Sequence, residues 1–162
     1  MAQAAVSQSE THRLYTPDQL QRRDSTVWTV VQGVLAPLQF LVFLVSLGLV
    51  LRYLSSGEGY ALATASIVVK TFFLYLIMVT GAIWEKVVFG QYLLAPAFFW
   101  EDVFSFLVIA LHTAYLLMLL GGWMSPQGLM MLALAAYLAY VINAAQFILK
   151  LRRARREAER FA

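Results

Sequence analysis

The run WTVVQGVLAPLQFLVFLVSLGLVLRYL (residues 28–54) decides the fold class, and Arg52 near its end is its only formal charge. A helix rising about 1.5 Å per residue needs ~20 apolar residues to cross a ~30 Å hydrocarbon core, so this run is long enough to span one. An open strand is excluded there, because lipid leaves unpaired backbone groups unsatisfied. Three runs of the same character follow at 61–84, 103–121 and 128–149. The breaks between them carry turn chemistry, SSGEG at 55–59 and GGWMSPQG at 121–128. The connection from Glu85 to Asp102 differs in being longer, aromatic-rich and charged at both ends. The sequence therefore predicts an all-α integral membrane four-helix bundle. It divides into an N-terminal arm (1–26), a four-span domain (27–149) and a basic C-terminal tail (150–162).

Composition agrees. Of 162 residues, 61% are hydrophobic and 13% charged, against about 45–50% and about 25% in soluble domains. The chain has no cysteine, which removes disulfides, thiolate nucleophiles and thiol-bound metals from consideration. Basic residues set the expected orientation. Arg13, Arg22 and Arg23 precede the first run, Lys86 lies in the middle connection, and Lys150, Arg152, Arg153, Arg155, Arg156 and Arg160 follow the fourth; the other two loops hold only Arg52 between them. Both termini are thus expected on the cytoplasmic side. The net charge of +3 reads as topology and anionic headgroups rather than nucleic-acid binding, for no stacking platform accompanies it. The first 25 residues are polar and do not form a secretory signal. Thr16-Pro17 looks like a helix cap, giving a short interfacial helix over 17–24, with residues 1–12 expected to be disordered.

Polar residues inside the runs carry the functional information, since each costs free energy in lipid. Lys70 lies in the second run, His112 midway along the third, Gln39 beside Pro37 in the first, and Asn143 and Gln146 in the fourth. Glu101, Ser105, Val108 and His112 follow one helical face, and Asn143 and Gln146 share another. Glu85 and Lys86 close the second run at the level where Glu101 and Asp102 open the third. Three carboxyl groups and a carboxamide pair are expected at one membrane edge. Duller roles are open for each: headgroup boundary markers, interhelical hydrogen bonds, a snorkelling Lys70, a hydrogen-bonded His112, and an aromatic belt of Trp28, Trp84, Trp100 and Trp123. The Ala-rich stretch 133–145 offers a packing face for a homo-oligomer. Nothing resembles a phosphate-binding loop, a dinucleotide fingerprint, a nucleophile elbow or a pair of metal-binding histidines. Acid–base chemistry on an amphipathic molecule, transport, or scaffolding remain.

Six runs narrow that choice: RLYTP (13–17), VQGVLAPLQFLVFLVS (31–46), IWEKVVFGQY (83–92), APAFFWEDVFS (95–105), ALHTAY (110–115) and YVINAAQF (140–147). Together they resemble the vinyl bacteriochlorophyllide hydratases of phototrophic bacteria, over about residues 13 to 153. The resemblance implies addition of water across the ring-A C3-vinyl group of a chlorophyllide or 3-vinyl bacteriochlorophyllide. The product is a 1-hydroxyethyl group on the route to bacteriochlorophyll a. It also implies a bacterial inner or intracytoplasmic photosynthetic membrane, and other bacteriochlorophyll-synthesis enzymes as candidate partners.

Such chemistry needs a proton donor and a group to hold water. Glu101 is the first choice for the acid and Glu85 the second, with Asp102, Asn143 or Gln146 holding the water. His112 is a candidate axial ligand to the substrate's own Mg²⁺, and no cofactor of the protein's own is expected. Lys86, or less readily Lys70, would pair with the substrate propionate. Phe89, Tyr92, Phe98, Phe99 and Trp100 would stack on the macrocycle or cover it. A non-catalytic pigment carrier or assembly protein is the competing class. It would share the histidine and the aromatic contacts but need no acid.

Overall fold

A computed structural model describes residues 14–160, and these residues are helical without any strand. The arm forms α1 (Pro17–Ser25). The four apolar runs lie in α2 (Val27–Ser56), α3 (Tyr60–Phe89), α4 (Phe99–Gly121) and α5 (Pro126–Arg160). All four are long and apolar enough to cross a membrane. Thr16 caps α1 reciprocally: its hydroxyl accepts from the Gln19 amide (3.3 Å), while its own amide donates to the Gln19 side chain (2.9 Å). The expected disorder of residues 1–12 lies outside the described residues, as do His12 and Arg13.

Three boundaries differ from the sequence reading. Helix α3 continues through Glu85 and Lys86 to Phe89, where Gly90 stops it in a left-handed conformation (φ 88°). Helix α4 begins at Phe99, so Glu101 and Asp102 lie inside its first turn. Helix α5 runs unbroken from the fourth apolar run through the basic stretch to Arg160, so Lys150 belongs to the bundle and not to a separate tail. Hydropathy ends where charge begins, but good helix formers such as Arg, Lys and Leu let the backbone carry on.

Helix α2 packs along α3 and α4 along α5; contacts of α2 with α5 and α3 with α4 close the ring. Along the spans, polar side chains lie inside and large apolar ones cover the outside. Gln39, Ser46, Lys70, Thr71, Ser105, His112 and Asn143 are buried, whereas Val30, Leu41, Val45, Phe72, Val79, Leu107 and Leu138 face outward. Only an apolar surrounding makes that arrangement favourable, which identifies the chain as a multi-pass membrane protein. Ala133, Ala136 and Ala139 are buried within the chain, where their small side chains let α5 approach its neighbours. The Ser46 hydroxyl hydrogen-bonds both Ser66 (2.7 Å) and the Tyr137 hydroxyl (2.6 Å), tying α2, α3 and α5 together at mid-bundle.

At one end of the bundle a second cluster forms around Tyr15, Val88 and Phe98, joined by Leu20, Trp84, Phe89, Phe147 and Ala154. The arm, the end of α3, the middle connection, the start of α4 and the late part of α5 therefore all meet there. The replacement Tyr137→Phe deletes the hydroxyl that binds Ser46. It is expected to lower stability in lipid or detergent by about 1 kcal/mol, read from the denaturation midpoint, without changing helix content.

Candidate functional site

The cluster end of the bundle holds the buried carboxyl groups. Glu85 comes from the last turns of α3, and Asp102 and Glu101 from the first turn of α4; all three are buried. Between the helices runs the strap 90–98. Its Leu94 amide donates to Asp102 Oδ2 (2.7 Å) and its Ala95 amide to Glu85 Oε2 (3.3 Å). Leu94 takes a left-handed conformation (φ 61°) to present that amide, at a cost of about 1–2 kcal/mol for a residue with a Cβ. Adjacent amides of the strap thus hold the Asp102 and Glu85 carboxyl groups side by side at the junction of α3 and α4.

Glu101 is engaged differently. Its Oε2 accepts from the Lys150 ammonium at 2.6 Å, an ion pair between α4 and α5 with both side chains mostly buried. Its backbone carbonyl accepts from Ser105 Oγ (2.8 Å) and Asn143 Nδ2 (2.9 Å), and Ser105 Oγ also lies 3.0 Å from Asn143 Oδ1. Asn143 thus locks the first turn of α4 onto α5. Gln146, one turn nearer the edge, is half-buried, and its side-chain oxygen is buried without a hydrogen-bond partner. A polar atom so placed is suited to hold water or substrate.

Aromatic rings wall the site. Phe98 stacks on Phe147 (centroids 5.7 Å, 22°) and meets Trp84 and Phe89 edge-on (5.8 and 5.9 Å). Tyr15 lies flat on Phe89 (5.7 Å, 11°), with the Arg23 guanidinium 5.0 Å from its ring centre. The arm therefore seals this wall. Lys150 Nζ stands 5.3 Å from the Phe98 ring centre, so cation, carboxylate and aromatic wall meet at one place.

Other residues singled out from the sequence lie elsewhere. Lys86 is exposed and donates to the Gly90 carbonyl (2.7 Å), capping its own helix. Trp100 (71% exposed), Tyr92 and Phe99 point out of the bundle. Lys70 and His112 are fully buried at mid-bundle. Lys70 Nζ lies 3.5 Å from the Tyr140 ring centre, which rules out snorkelling; the His112 Nδ1 bonds the Val108 carbonyl (2.8 Å). His112 is therefore one flank of the core rather than part of the edge site. Among the described residues, no three His, Asp or Glu side chains are grouped as a metal ion requires.

Sequence reasoning missed Lys150, Tyr15 and the Leu94 and Ala95 amides. Lys150 stands four residues after Gln146 and seven after Asn143, on the same helical face, but it was counted among the cations of a tail. Replacing Lys150 with Met leaves Glu101 buried and unpaired. The expected loss is about 2 kcal/mol of stability, less than for a fully enclosed pair. Most should return in the double variant Lys150→Met/Glu101→Gln, checked by a denaturation double-mutant cycle.

Comparison of the sequence with known proteins points to one family. The model of the 2-vinyl bacteriochlorophyllide hydratase family matches residues 15–153. A protein of Cereibacter sphaeroides named 2-vinyl bacteriochlorophyllide hydratase is 73% identical over 148 residues, covering 91% of this chain and 91% of the relative. A protein of Rhodobacter capsulatus with the same name is 67% identical over 146 residues, covering 90% of this chain and 84% of the relative. No solved structure matches the chain. With the match running from the arm that seals the site to the end of the fourth span, the chain belongs to the 2-vinyl bacteriochlorophyllide hydratase family.

Proposed function

We propose that this chain hydrates the ring-A vinyl group of a chlorophyllide or bacteriochlorophyllide, position 2 in the older macrocycle numbering and position 3 in the newer. The product is the 1-hydroxyethyl pigment of the pathway to bacteriochlorophyll a. The observation that carries this reading is the juxtaposition of Glu85 and Asp102, two buried carboxyl groups held by the adjacent amides of Leu94 and Ala95. With one proton shared between them, one group can give it and the other take one back.

In the proposed reaction the carboxyl O–H bond breaks and a C–H bond forms at the terminal vinyl carbon. The cation left on the inner carbon is stabilised by conjugation with the macrocycle. A water oxygen then bonds to that carbon, and its surplus proton passes to the carboxylate pair, restoring it. The sum is one water added, with no electron transferred. Gln146, with its unpartnered oxygen, is placed to orient the water.

This assignment moves the acid from Glu101 to Glu85 and Asp102. The Glu101 carboxylate is engaged by the Lys150 ammonium, and its proposed role is to hold α4 against α5. The wall of Phe98, Phe147, Phe89 and Trp84 provides a face for a flat macrocycle. The substrate brings its own Mg²⁺, and the reaction as written needs no nucleotide, flavin or further metal.

The basic residues of α1, the middle connection and the end of α5 favour the cytoplasmic side of a bacterial inner or photosynthetic membrane for this end of the bundle. Enzymes supplying the vinyl pigment and consuming the hydroxyethyl product are the natural partners there.

The chain in lipid should convert a 3-vinyl chlorophyllide to a product one water heavier, with a blue-shifted red band. Stoichiometric pigment binding without conversion would instead support a carrier. Glu85→Gln and Asp102→Asn should each lower kcat by roughly 10²–10⁴-fold while pigment still binds. Glu101→Gln should cost far less, and equal losses in all three would reject the assignment. The cysteine-free chain also suits topology mapping. Single replacements Ser25→Cys and Ser56→Cys are expected to react with impermeant thiol reagents from opposite faces, Ser25→Cys from the cytoplasm.

A further inference from the structure

Lys70 has no place in the edge chemistry, yet its burial is costly. It is 0% exposed, its ammonium has no hydrogen-bond partner, and among the described residues no carboxylate lies within ion-pair distance of it. The face of Tyr140, 3.5 Å away at the ring centre, is the contact that shields it. One turn along α5, Tyr137 packs against the His112 imidazole (centroids 5.9 Å), so the two bases border one face of α5, and His112 Nε2 is likewise buried and unpartnered. On α2 the buried Gln39 side-chain oxygen is unpartnered too. Unsatisfied polar atoms in lipid cost several kcal/mol each. Lys70 has open donor positions, while His112 Nε2, with Nδ1–H committed to the Val108 carbonyl, offers a lone pair; the two together suit a carboxyl group, which accepts from the first and gives its proton to the second.

We infer that Lys70 and His112 form an intramembrane binding site for the carboxylate of the macrocyclic substrate, selecting free acids over esters. The inference rests on the pigment reading given above and deepens it by naming how the substrate is oriented. The edge already carries the buried Glu85, Glu101 and Asp102, and the Lys150 ammonium is committed to Glu101, so none of these groups is left to neutralise a fourth carboxyl. Lys86 is turned outward onto the Gly90 carbonyl. His112 lies ten residues along α4 from Asp102, about 15 Å of helix. A vinyl tetrapyrrole with a propionate arm spans a comparable distance. With the vinyl group at the carboxyl pair, the propionate reaches inward and its charge is neutralised where the bundle has a surplus of basic groups. Lys70 and His112 stand on α3 and α4, consecutive helices joined by the strap 90–98 and by a Tyr75–Thr113 hydrogen bond (2.6 Å). Parting that seam would admit a flat ligand edge-on.

The test measures binding without turnover. The probes are 3-ethyl chlorophyllide, which has no vinyl group to hydrate, and its methyl ester, titrated by fluorescence into the full chain in lipid nanodiscs. The wild-type chain should bind the acid at least roughly 10-fold more tightly than the ester. Lys70→Met should bring acid binding down to the ester level and leave ester binding unchanged, with Lys70→Arg keeping part of the preference. Equal wild-type affinity for acid and ester would overturn the inference, and that comparison needs no variant to fold. A preference that survives in a folded Lys70→Met chain would overturn it as well. Failure of the hydratase reading would show differently, as absence of product from the vinyl substrate with the acid preference intact.

Discussion

Lipid offers no hydrogen bonds, so every polar group carried into the bundle must be satisfied there or by what binds there. Most are: Ser46 by Tyr137, Asn143 by the Glu101 carbonyl and Ser105, Trp84 by Thr29 (2.9 Å), and Gln32 by Thr80 (2.7 Å). These bonds join different helices, so the same contacts that remove polar groups from lipid also fix the helix register. Among the groups left without a protein partner are the Lys70 ammonium, the His112 Nε2 and the Gln146 side-chain oxygen. At the edge, Glu85 and Asp102 lie side by side on adjacent strap amides. These are the groups assigned here to substrate and to chemistry.

The edge site also shows how the strap contributes. A tight turn between α3 and α4 would bring the helix ends together but offer no amides to the carboxyl groups. The longer strap turns back over them, and the left-handed Leu94 points its N–H at Asp102. Such strain persists only where its surroundings determine it, here through Ala95 on Glu85 and the Phe98 ring wedged among Trp84, Phe89 and Phe147. The strap therefore orients the carboxyl pair before any substrate arrives, which is the preorganisation that acid catalysis in a dry site needs.

The four crossings were legible from hydropathy, because a run of ~20 apolar residues has one stable form in lipid. The shared face of Glu101, Ser105, Val108 and His112 was legible from helical periodicity, and all four are buried together. What periodicity could not give was pairing across helices. Whether Glu101 meets Lys150 or Glu85 depends on the rotation of α4 against α5, which Asn143 sets through a backbone carbonyl that has no sequence signature. Lys86 and Lys70 illustrate the same gap from the other direction. By depth Lys86 suits the edge, while Lys70 lies deep for a snorkelling residue; helix phase turns the first outward and the second inward.

Within the buried part of the bundle, the carboxyl groups and the unpaired bases stand at different depths, about three helical turns apart along α4. Under the proposed binding mode, an anionic arm drawn to the bases would set the reactive vinyl group at the carboxyl pair, so one interaction would both satisfy the buried ammonium and deliver the reacting carbon. In the proposed reaction the hydroxyethyl product would keep the carboxylate but gain a hydroxyl group that hydrogen-bonds in water and not on an aromatic wall. Turnover would then weaken the hold at the edge and favour release toward the interface.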